Sequence, residues 1–312
     1  YAARIYTGAP VPVNADTVIQ QELAIVGGEK TVRLKARAPG ANIRKRGEII
    51  RKGDRLIDRG TLVTPAGISL LAAAGSSAVK IIPRPKLAIL MTGSELVGPG
   101  EKLEPGKIRD SNGPMLAAMA AEENFEVTGV FRSIDHLDLL KTRLEELSGR
   151  VDIIVTTGGV SVGDYDFVPE VVKQLGANIL FHRVRQKPGK PILAAKLGAS
   201  WILGLPGNPV SSFVCWRLYV SRLAEALSGN TASFDDSVEA VLTEEAIVKG
   251  SRPIFLPSVF RNSLHGRHVT TVKWRGSHDL TVLSRSNSLV LVEQRKQYRE
   301  GDIVQCFPYN WK

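Results

Sequence analysis

Short apolar runs alternate with amphipathic stretches through the middle of the chain, between residues 85 and 230. Runs such as Leu87 to Met91 and Val151 to Thr157 predict buried strands, whereas apolar residues at helical spacing over His136 to Leu147 predict an amphipathic helix. The longest helical pattern covers Val210 to Leu227. Strands that alternate with helices in this way are typical of a doubly wound parallel sheet. We therefore predict a central α/β domain over residues 85–230.

The two ends of the chain show a different pattern, in which short β runs are interrupted by Gly, Pro and Asp. Residues 1–84 predict a β-rich N-terminal region that contains a helix at residues 65–75 and ends in a Pro-Arg-Pro linker. The β runs of this region cover Thr31 to Ala36, Glu48 to Leu62 and Ala78 to Ile82. Residues 231–312 predict a small C-terminal β-barrel domain. The pattern around Arg4 lacks an opening turn or helix cap, which predicts a further segment upstream.

Length and composition restrict the class of protein. The chain has 312 residues, of which 43% are hydrophobic, but it contains no run of about 18 apolar residues and no start like that of a signal peptide. We therefore predict a cytoplasmic protein without a membrane partner. The formal net charge is +10, yet the Lys and Arg residues are scattered along the chain. This distribution argues against a nucleic acid, but a pocket for a small anionic substrate and a merely solvated basic surface both account for it, so charge alone does not identify the partner.

Cysteine and histidine indicate neither a disulfide framework nor a zinc site. Cys215 lies in a predicted helix and Cys306 in a predicted strand, so both are expected to be buried thiols. The histidines lack the spacing of zinc ligands. The chain also lacks the Gly-x-Ser-x-Gly sequence of a nucleophile elbow, which argues against hydrolase chemistry.

Four glycine-containing loops lie within a short part of the predicted α/β domain. They are Thr92-Gly93-Ser94-Glu95, Gly158-Gly159-Val160-Ser161-Val162-Gly163-Asp164-Tyr165-Asp166, Lys187-Pro188-Gly189-Lys190-Pro191 and Gly204-Leu205-Pro206-Gly207-Asn208-Pro209. Each follows a short apolar run. Because ligands of open α/β folds bind at the carboxyl ends of the strands, we expect these loops to lie together at one sheet edge. The loops predict an enzyme that handles an anion.

The loop that begins at Gly158 has the most specific composition. Its paired glycines let backbone N–H groups approach a phosphate, and Ser161 offers a hydroxyl donor. Asp164 and Asp166 would repel a phosphate unless a divalent cation lay between them, so the loop predicts Mg²⁺. A helix N-cap followed by a turn is the alternative interpretation.

The other loops carry further candidate residues. Lys187 and Lys190 flank a Pro-Gly turn that would hold two ammonium groups around an oxyanion, unless the segment is simply a solvated basic hairpin. Arg183 and Arg185 precede them with strand alternation, which predicts that both point to one face. Glu95 is a candidate metal ligand or general base, although a lone Glu is more often only solvated.

The loop from Gly204 to Pro209 needs unusual backbone conformations, because its prolines fix φ while its glycines permit a close approach to a ligand. Asn208 before Pro209 predicts a helix N-cap with proline at the first helical position. A purely structural strand-to-helix turn is the alternative.

Taken in order, the four loops resemble those of the MoeA and gephyrin E-domain family, the molybdopterin molybdenumtransferases of molybdenum cofactor biosynthesis. The resemblance runs from Arg4 to about Gln305. Other motifs that resemble family signatures are Thr7-Gly8-Ala9-Pro10, Asn42-Ile43-Arg44 with Gly47-Glu48, and Gly106-Lys107-Ile108-Arg109-Asp110-Ser111-Asn112. The resemblance implies a MogA-like central domain that transfers molybdate to adenylylated molybdopterin with Mg²⁺ and releases AMP. It also implies a homodimer and a possible contact with the molybdopterin adenylyltransferase.

The resemblance also implies the roles of individual residues. The residues implied to take part in catalysis are Asp166, Lys187, Glu95, Arg183 and Thr7, with Arg183 at a position where some relatives carry a second lysine. Asp166 and Glu95 are implied to bind the metal ion. The residues implied to bind molybdopterin are Gly158, Gly159, Ser161, Gly163, Asp164, Lys190, Pro206, Asn208, Pro209 and Ser277.

Two alternative functions remain open at this point. One is molybdopterin adenylyltransferase activity, which uses a similar α/β domain. The β-rich flanking regions and the loop sequence Val160-Ser161-Val162-Gly163-Asp164 argue against it. The other is a non-catalytic molybdopterin-binding or scaffold protein. This second alternative is kept open by Ser133, where relatives usually carry an acidic residue, and by Leu256, where some carry Arg.

Overall fold

The computed structural model describes residues 1–28, 30–133, 136–160, 167–229, 237–247, 251–293 and 297–309. Its chain divides into two compact units. The first unit consists of Tyr1–Asp58 and Val63–Val79, and the second of Arg59–Leu62 and Lys80–Lys312. None of the helices in the described ranges combines the length and the apolar character that a membrane crossing requires.

The first unit has little regular structure. A 3₁₀ turn at Gln21–Leu23 leads into an antiparallel pair, β1 (Ala24–Val26) and β2 (Val32–Leu34). Helix α1 (Pro65–Ala73) begins with proline in its first turn, and the Thr64 hydroxyl accepts a hydrogen bond from the Gly67 N–H. This cap satisfies one of the N–H groups that a helix start leaves without an intrahelical partner. The predicted strand near residue 31 and the predicted helix are therefore present.

Two predicted β runs in the N-terminal region are wrong. The stretch from Glu48 to Leu62 forms turns, because Gly53 and Gly60 adopt positive φ angles of 96° and 86°, a conformation that interrupts a strand. The Asp54 carboxylate stabilises one of these turns by accepting the Arg51 N–H at 2.7 Å. The stretch from Ala78 to Ile82 also forms no strand. It leads directly into two prolines, which cannot donate to a β ladder.

The α/β part of the second unit follows the predicted alternation. In chain order its elements are β3 (Lys86–Thr92), β4 (Leu96–Val97), β5 (Ile108–Arg109), α2 (Asn112–Glu122), β6 (Glu126–Ser133), α3 (Leu137–Leu147), β7 (Ile153–Thr157), α4 (Val168–Gln174), β8 (Asn178–His182), β9 (Leu193–Leu197), β10 (Ser200–Leu205), α5 (Pro209–Cys215), a π-helical turn (Trp216–Val220) and α6 (Ser221–Leu227). The short β4 and β5 pair with each other.

The main sheet has the strand order β6-β3-β7-β10-β9-β8. Strands β6, β3, β7 and β10 are parallel neighbours, as predicted. Strand β9 runs antiparallel to both β10 and β8, so the prediction of a purely parallel sheet is wrong. The reason is the connection between β9 and β10, where only Gly198 and Ala199 separate the strands. A link of this length closes a hairpin, whereas a parallel pair needs a long crossover.

Alternate residues of the central strands face opposite cores. On β3, Leu87, Ile89 and Met91 pack with helices α2 and α5, while Ala88 and Leu90 pack with helices α3 and α4. These side chains are fully buried. A strand buried on both faces is a continuous apolar run without polar alternation, which is why the sequence predicted it directly.

The long helical pattern predicted over Val210 to Leu227 is confirmed, but it contains a π-helical turn. At the end of this turn the Ser221 N–H donates to the Trp216 carbonyl. The Glu123 carboxylate lies beside the turn and accepts hydrogen bonds from Trp216 Nε1 at 3.3 Å, Arg217 Nη1 at 2.9 Å and Ser221 Oγ at 2.9 Å. Burial raises the pKa of the Glu123 carboxyl, while the Ser221 hydroxyl and the Arg217 guanidinium act in the opposite direction.

The C-terminal part of the second unit forms a small barrel. Its elements are β11 (Val238–Leu242), β12 (Ala246–Ile247), β13 (Ile254–Ser263), β14 (Gly266–Thr271), α7 (Leu280–Ser284), β15 (Ser288–Val292), β16 (Gln297–Tyr298) and β17 (Ile303–Pro308). The closed order is β11-β14-β13-β15-β17, and β12 pairs with β16 outside it. Cys306 lies in the barrel core and Cys215 in helix α5, so the prediction of two buried free thiols is confirmed.

Hydrogen bonds and one close approach of the backbone hold the carboxyl ends of β3, β7 and β10 together. The Thr92 hydroxyl donates to the Thr157 carbonyl at 3.1 Å, and the Gly158 N–H donates to the Leu205 carbonyl at 3.1 Å. Gly158 has a φ of 86°, and a Cβ at this position would lie 2.7 Å from the Thr92 carbonyl oxygen. The strand ends can therefore approach only because residue 158 has no side chain.

We expect Glu123→Ala to lower the free energy of unfolding by about 2 kcal/mol, because it leaves the buried donors of the π-helical turn without their acceptor. Urea denaturation followed by circular dichroism measures the effect. Glu122→Ala is the matched control, since Glu122 is exposed and adjacent in sequence. Equal effects of the two substitutions would contradict a stabilising role for the Glu123 contacts.

We expect Gly158→Ala to be more destabilising than Gly176→Ala. Both glycines have positive φ, so each alanine should cost about 1 kcal/mol of backbone strain. A Cβ on Gly176 meets no atom within 4 Å, whereas the one on Gly158 meets the backbone of Thr92 and should cost about 2 kcal/mol more. Urea denaturation of both variants separates the contact from the strain, and equal losses would show that the close approach is unimportant.

Candidate functional site

Three of the four predicted loops meet at the carboxyl edge of the main sheet. Gly158 packs against Thr92, as described above, and Gly207 lies beside Gly158, with its potential Cβ position 3.7 Å from the Gly158 Cα. The Val168 N–H, at the start of helix α4, donates to the Gly159 carbonyl at 3.0 Å. Both Gly158 and Gly159 are partly exposed. The structure therefore brings together backbone groups that can approach an anionic ligand.

Asn112 is a residue of this edge to which the sequence assigned no role in ligand binding. It begins helix α2 and is 7% exposed. Its Nδ2 donates to the Gly207 carbonyl at 2.8 Å, but its Oδ1 is buried without a hydrogen-bond partner among the described residues. The motif that contains it was noted only for its resemblance to a family signature. Asp110, and not Asn112, caps the start of helix α2 by accepting the Gly113 N–H at 2.9 Å.

Glu95 is exposed and follows the end of β3. Its carboxylate folds back over Gly93, where the oxygens lie 2.7 and 2.9 Å from the position a Cβ would take. Gly93 has a φ of 149°, so its missing side chain provides both the backbone conformation and the space. The carboxylate thus lies beside the residue that follows Thr92, at the same sheet edge as Gly158.

The loop with two lysines lies between β8 and β9, and both Lys187 and Lys190 are exposed. Its backbone pairs with the barrel, because the Lys187 N–H donates to the Pro253 carbonyl at 2.9 Å and the Phe255 N–H donates to the Lys187 carbonyl at 2.8 Å. The Lys187–Pro188 peptide bond is cis. The loop therefore presents two ammonium groups from a backbone that is fixed on its other side.

The prediction that Arg183 and Arg185 share one face of a strand is wrong, because β8 ends at His182. Arg183 adopts a left-handed conformation with a φ of 70°, which breaks the alternation. Its N–H still donates to the Ile192 carbonyl at 2.8 Å, and its side chain is exposed. Arg185 donates through Nη2 to the Ser251 carbonyl at 2.9 Å. Positive charge is thus present around the lysines, but in an irregular segment.

Helix α5 lies next to both groups of residues: Gly207, just before it, lies beside Gly158, and its Cys215 packs against Gly189 of the lysine loop. Its first residue is Pro209, and Asn208 occupies the N-cap position as predicted. The Asn208 side chain makes no capping hydrogen bond; its Nδ2 donates to Ser277 Oγ at 3.0 Å instead. The Val210 N–H donates to the Ser277 carbonyl at 3.0 Å. Pro206 is buried, and its carbonyl accepts the Ser212 hydroxyl. The predicted residues of this loop and Ser277 therefore lie together.

The remaining predicted site residues are Thr7 in the first unit and four residues of the Gly158 loop. Thr7 lies in an exposed turn of the first unit, where the Ala9 N–H donates to the Tyr6 carbonyl at 3.0 Å. Ser161, Gly163, Asp164 and Asp166 lie outside the described residues. Within the described ranges, no group of three or more His, Cys, Asp or Glu side chains could hold a metal ion.

A separate cavity of about 560 Å³ lies next to helices α5 and α7, and its lining contains none of the predicted site residues. It is lined mainly by apolar side chains, among them Met115, Phe213 and Leu283. An apolar surface offers little to a phosphate or an oxyanion, so we assign the candidate site to the polar sheet edge.

Comparisons with known proteins agree with the arrangement of the loops. Residues 1–75 match the family model "MoeA N-terminal region (domain I and II)", and residues 88–225 match "Probable molybdopterin binding domain". The molybdopterin molybdenumtransferase of Bacillus subtilis is 34% identical over 309 residues, which cover 97% of this chain and 72% of that protein. The enzyme of the same name from Staphylococcus aureus strain COL is 33% identical over 292 residues, with 93% and 70% covered.

A solved structure has the same fold over nearly the whole chain. The molybdopterin biosynthesis MoeA protein of Pyrococcus horikoshii superposes with a TM-score of 0.78 at 29% identity, over 98% of this chain and 74% of that one. The two relatives above 30% identity and this structure match 93–98% of the chain, so the similarity covers both units and is not confined to the sheet edge. The chain belongs to the MoeA family of molybdopterin molybdenumtransferases.

Proposed function

We propose that this protein is a molybdopterin molybdenumtransferase, a transferase of molybdenum cofactor biosynthesis. The names of its relatives and the matched molybdopterin-binding region support this function. The observation that carries the proposal is the sheet edge itself, where exposed or partly exposed glycine turns follow β7 and β10 and the exposed Lys187 and Lys190 follow β8. Such a site can bind a phosphorylated pterin and a second anion at once.

The glycine turns and the N-terminal end of helix α5 bind the pterin substrate in this proposal. Backbone N–H groups near Gly158 and Gly159 approach the phosphates, since no side chain covers them. Asn208 and Ser277 hold the start of helix α5 in place through their side-chain hydrogen bond and keep polar groups near the ligand. Ser161, Gly163 and Asp164 of the same turn are proposed to complete the contacts.

Molybdate is the second substrate, and the cationic segment is proposed to bind it. Lys187, Lys190 and Arg183 are exposed basic residues beside the sheet edge. They attract the dianion and stabilise the negative charge that shifts between oxygens during transfer. Water cleaves the phosphoanhydride of the adenylylated pterin, so that one P–O bond breaks, one forms, and AMP leaves as the product.

The carboxylate of Glu95 fits a magnesium ion that is shared with the substrate and with a second carboxylate. Mg²⁺ keeps several waters and is usually bound through one or two carboxylates together with substrate phosphates. Glu95 supplies one exposed carboxylate beside Gly93, and Asp166 is proposed as the other. Bound there, Mg²⁺ would neutralise phosphate charge and orient the scissile anhydride. Glu95 itself would hold the ion and orient water beside the phosphates in this proposal.

Other parts of the assignment stay predictions. A homodimer, contact with the molybdopterin adenylyltransferase and a role for Thr7 rest on the family resemblance, whereas a cytoplasmic location rests on a sequence without a signal-peptide pattern or a long apolar run. The boundaries at residues 84 and 230 stay predictions as well. Adenylyltransferase activity is not favoured, because the relatives carry the molybdenumtransferase name. A non-catalytic scaffold is the remaining alternative, and the two experiments below distinguish it.

We expect Lys187→Ala to lower kcat/KM for molybdate about 100-fold, because it removes a charge-stabilising donor from the reacting anion. The assay measures AMP release from adenylylated molybdopterin in the presence of Mg²⁺ and limiting molybdate. Lys173→Ala is the matched control, since Lys173 is an exposed lysine of helix α4. AMP release that is absent from the unsubstituted protein would favour the scaffold alternative, and an unchanged Lys187→Ala enzyme would exclude the assigned role.

We expect Asp166→Ala to leave the fold intact and abolish AMP release, and Glu95→Gln to raise the Mg²⁺ concentration for half-maximal release about tenfold. Glu104→Gln, a change at another exposed carboxylate between β4 and β5, is the control. Titration of AMP release with MgCl₂ after removal of metal with EDTA measures both effects. Full activity of Asp166→Ala, or an identical Mg²⁺ requirement in Glu95→Gln, would refute the proposed metal ligands.

A further inference from the structure

We propose that Gln186 and Tyr219 are positioning residues that hold the lysine loop, residues 187–190, in the geometry in which it binds the oxyanion substrate. The inference rests on the proposed function of this loop. Neither side chain was singled out by the sequence, since glutamine before a lysine and tyrosine within a helix have no distinctive pattern. Their contacts in the structure supply the argument.

Gln186 is the buried residue that precedes the exposed lysine loop. It is 5% exposed, and its side chain points back under the loop. Its Nε2 donates to the Pro188 carbonyl at 3.1 Å. The Gln186 carbonyl accepts a hydrogen bond from Arg252 Nη1 at 3.2 Å. One amide side chain thus fixes the backbone between Lys187 and Lys190, and a barrel residue fixes the backbone before it.

Tyr219 completes the support from the helical side. Its hydroxyl donates to Gln186 Oε1 at 2.6 Å, and its ring contacts Phe181 of β8 with centroids 5.8 Å apart. Tyr219 lies in the π-helical turn, where the altered helical period changes the direction of its side chain. Burial raises the pKa of the Tyr219 hydroxyl to about 12, with a further contribution from Cys215. The hydroxyl therefore stays a hydrogen-bond donor throughout the neutral range.

The underside of the lysine loop packs directly against helix α5. A Cβ on Gly189 would lie within 2.8 Å of Gln186 Nε2 and closer still to Cys215 Sγ, so the loop backbone rests on these two side chains. The Cys215 thiol donates to the Gly189 carbonyl at 3.6 Å. Burial raises the pKa of the Cys215 thiol, which keeps it neutral. The underside of the loop is therefore both hydrogen-bonded and close-packed.

In this arrangement the charged side chains that meet the anion differ from the buried side chains, Gln186 and Tyr219, that hold the loop backbone. Lys187 and Lys190 are exposed, and an anion that contacts both must fix their long side chains on binding. A backbone already fixed by Gln186 lowers that ordering cost, which is the general benefit of a preorganised site. Loss of the Tyr219 hydroxyl would leave Gln186 Oε1 buried without a donor, and relief of that penalty requires the loop to move.

The test measures binding of sodium molybdate to the whole protein by isothermal titration calorimetry. We expect Tyr219→Phe to weaken molybdate binding about tenfold, because the lysines lose their alignment while the phenyl ring keeps its packing. Gln186→Met, which keeps the length of the side chain but neither hydrogen bond, should weaken it to the same degree. If the two residues act as one unit, the double variant should bind molybdate as weakly as either single variant.

The matched control is Tyr309→Phe, which removes another buried hydroxyl, one that is bonded to Ser286 Oγ at 2.7 Å in the same unit. It should leave molybdate affinity unchanged. Unaltered affinity in Tyr219→Phe, additive effects in the double variant, or the same loss in Tyr309→Phe would overturn the inference, as would a lack of molybdate binding by the unsubstituted protein. Molybdate binding without AMP release would refute the proposed function and leave the inference intact.

Discussion

The close contact between Gly158 and Thr92 is the constraint on which the site depends. Two parallel strands, β3 and β7, deliver their last residues to the same edge, and the turn after β7 must pass directly over the end of β3. It can do so only because Gly158 has no side chain and a positive φ. The same contact leaves the backbone of the turn uncovered. The space that packing requires is therefore also the space that a ligand can enter.

A second set of contacts places the cationic segment relative to this edge. The lysine loop leaves the sheet after β8, pairs with the barrel through Lys187 and rests on helix α5 through Gly189. Barrel and sheet thus fix the loop from different sides. This explains why the chain places a β-barrel after an α/β domain within one compact unit, since the barrel carries both Ser277 and the partners of Lys187.

The sequence predicted those features that depend on local pattern. Leu87 to Met91 is buried on both sides and shows a continuous apolar run, and Pro209 after Asn208 marks the start of helix α5. The failures have different causes. The reversal of β9 was missed, although its link of two residues to β10 is typical of a hairpin. Nothing in the alternation of Arg183 and Arg185 shows that the first of them adopts a left-handed conformation. The stretch around residue 53 was wrongly predicted as strand because it contains short apolar runs. These runs have no partner strand in the structure, and the glycines between them form turns.

The same distinction applies to the site. Charged and glycine residues of the loops were recognisable, because their chemistry is specific even in isolation. Asn112, Gln186 and Tyr219 were not, because each is ordinary in sequence and acquires its role from a partner about 30 to 95 residues away. Helix α5 joins these two groups of residues: every residue from Val210 to Cys215 is buried, between the sheet, the lysine loop and the barrel. Most of the stability of a helix within a protein comes from such packing, so α5 takes its position from these neighbours. Because helix α5 contacts both the glycine turns and the lysine loop, a shift of any of its neighbours would move these two parts of the site together.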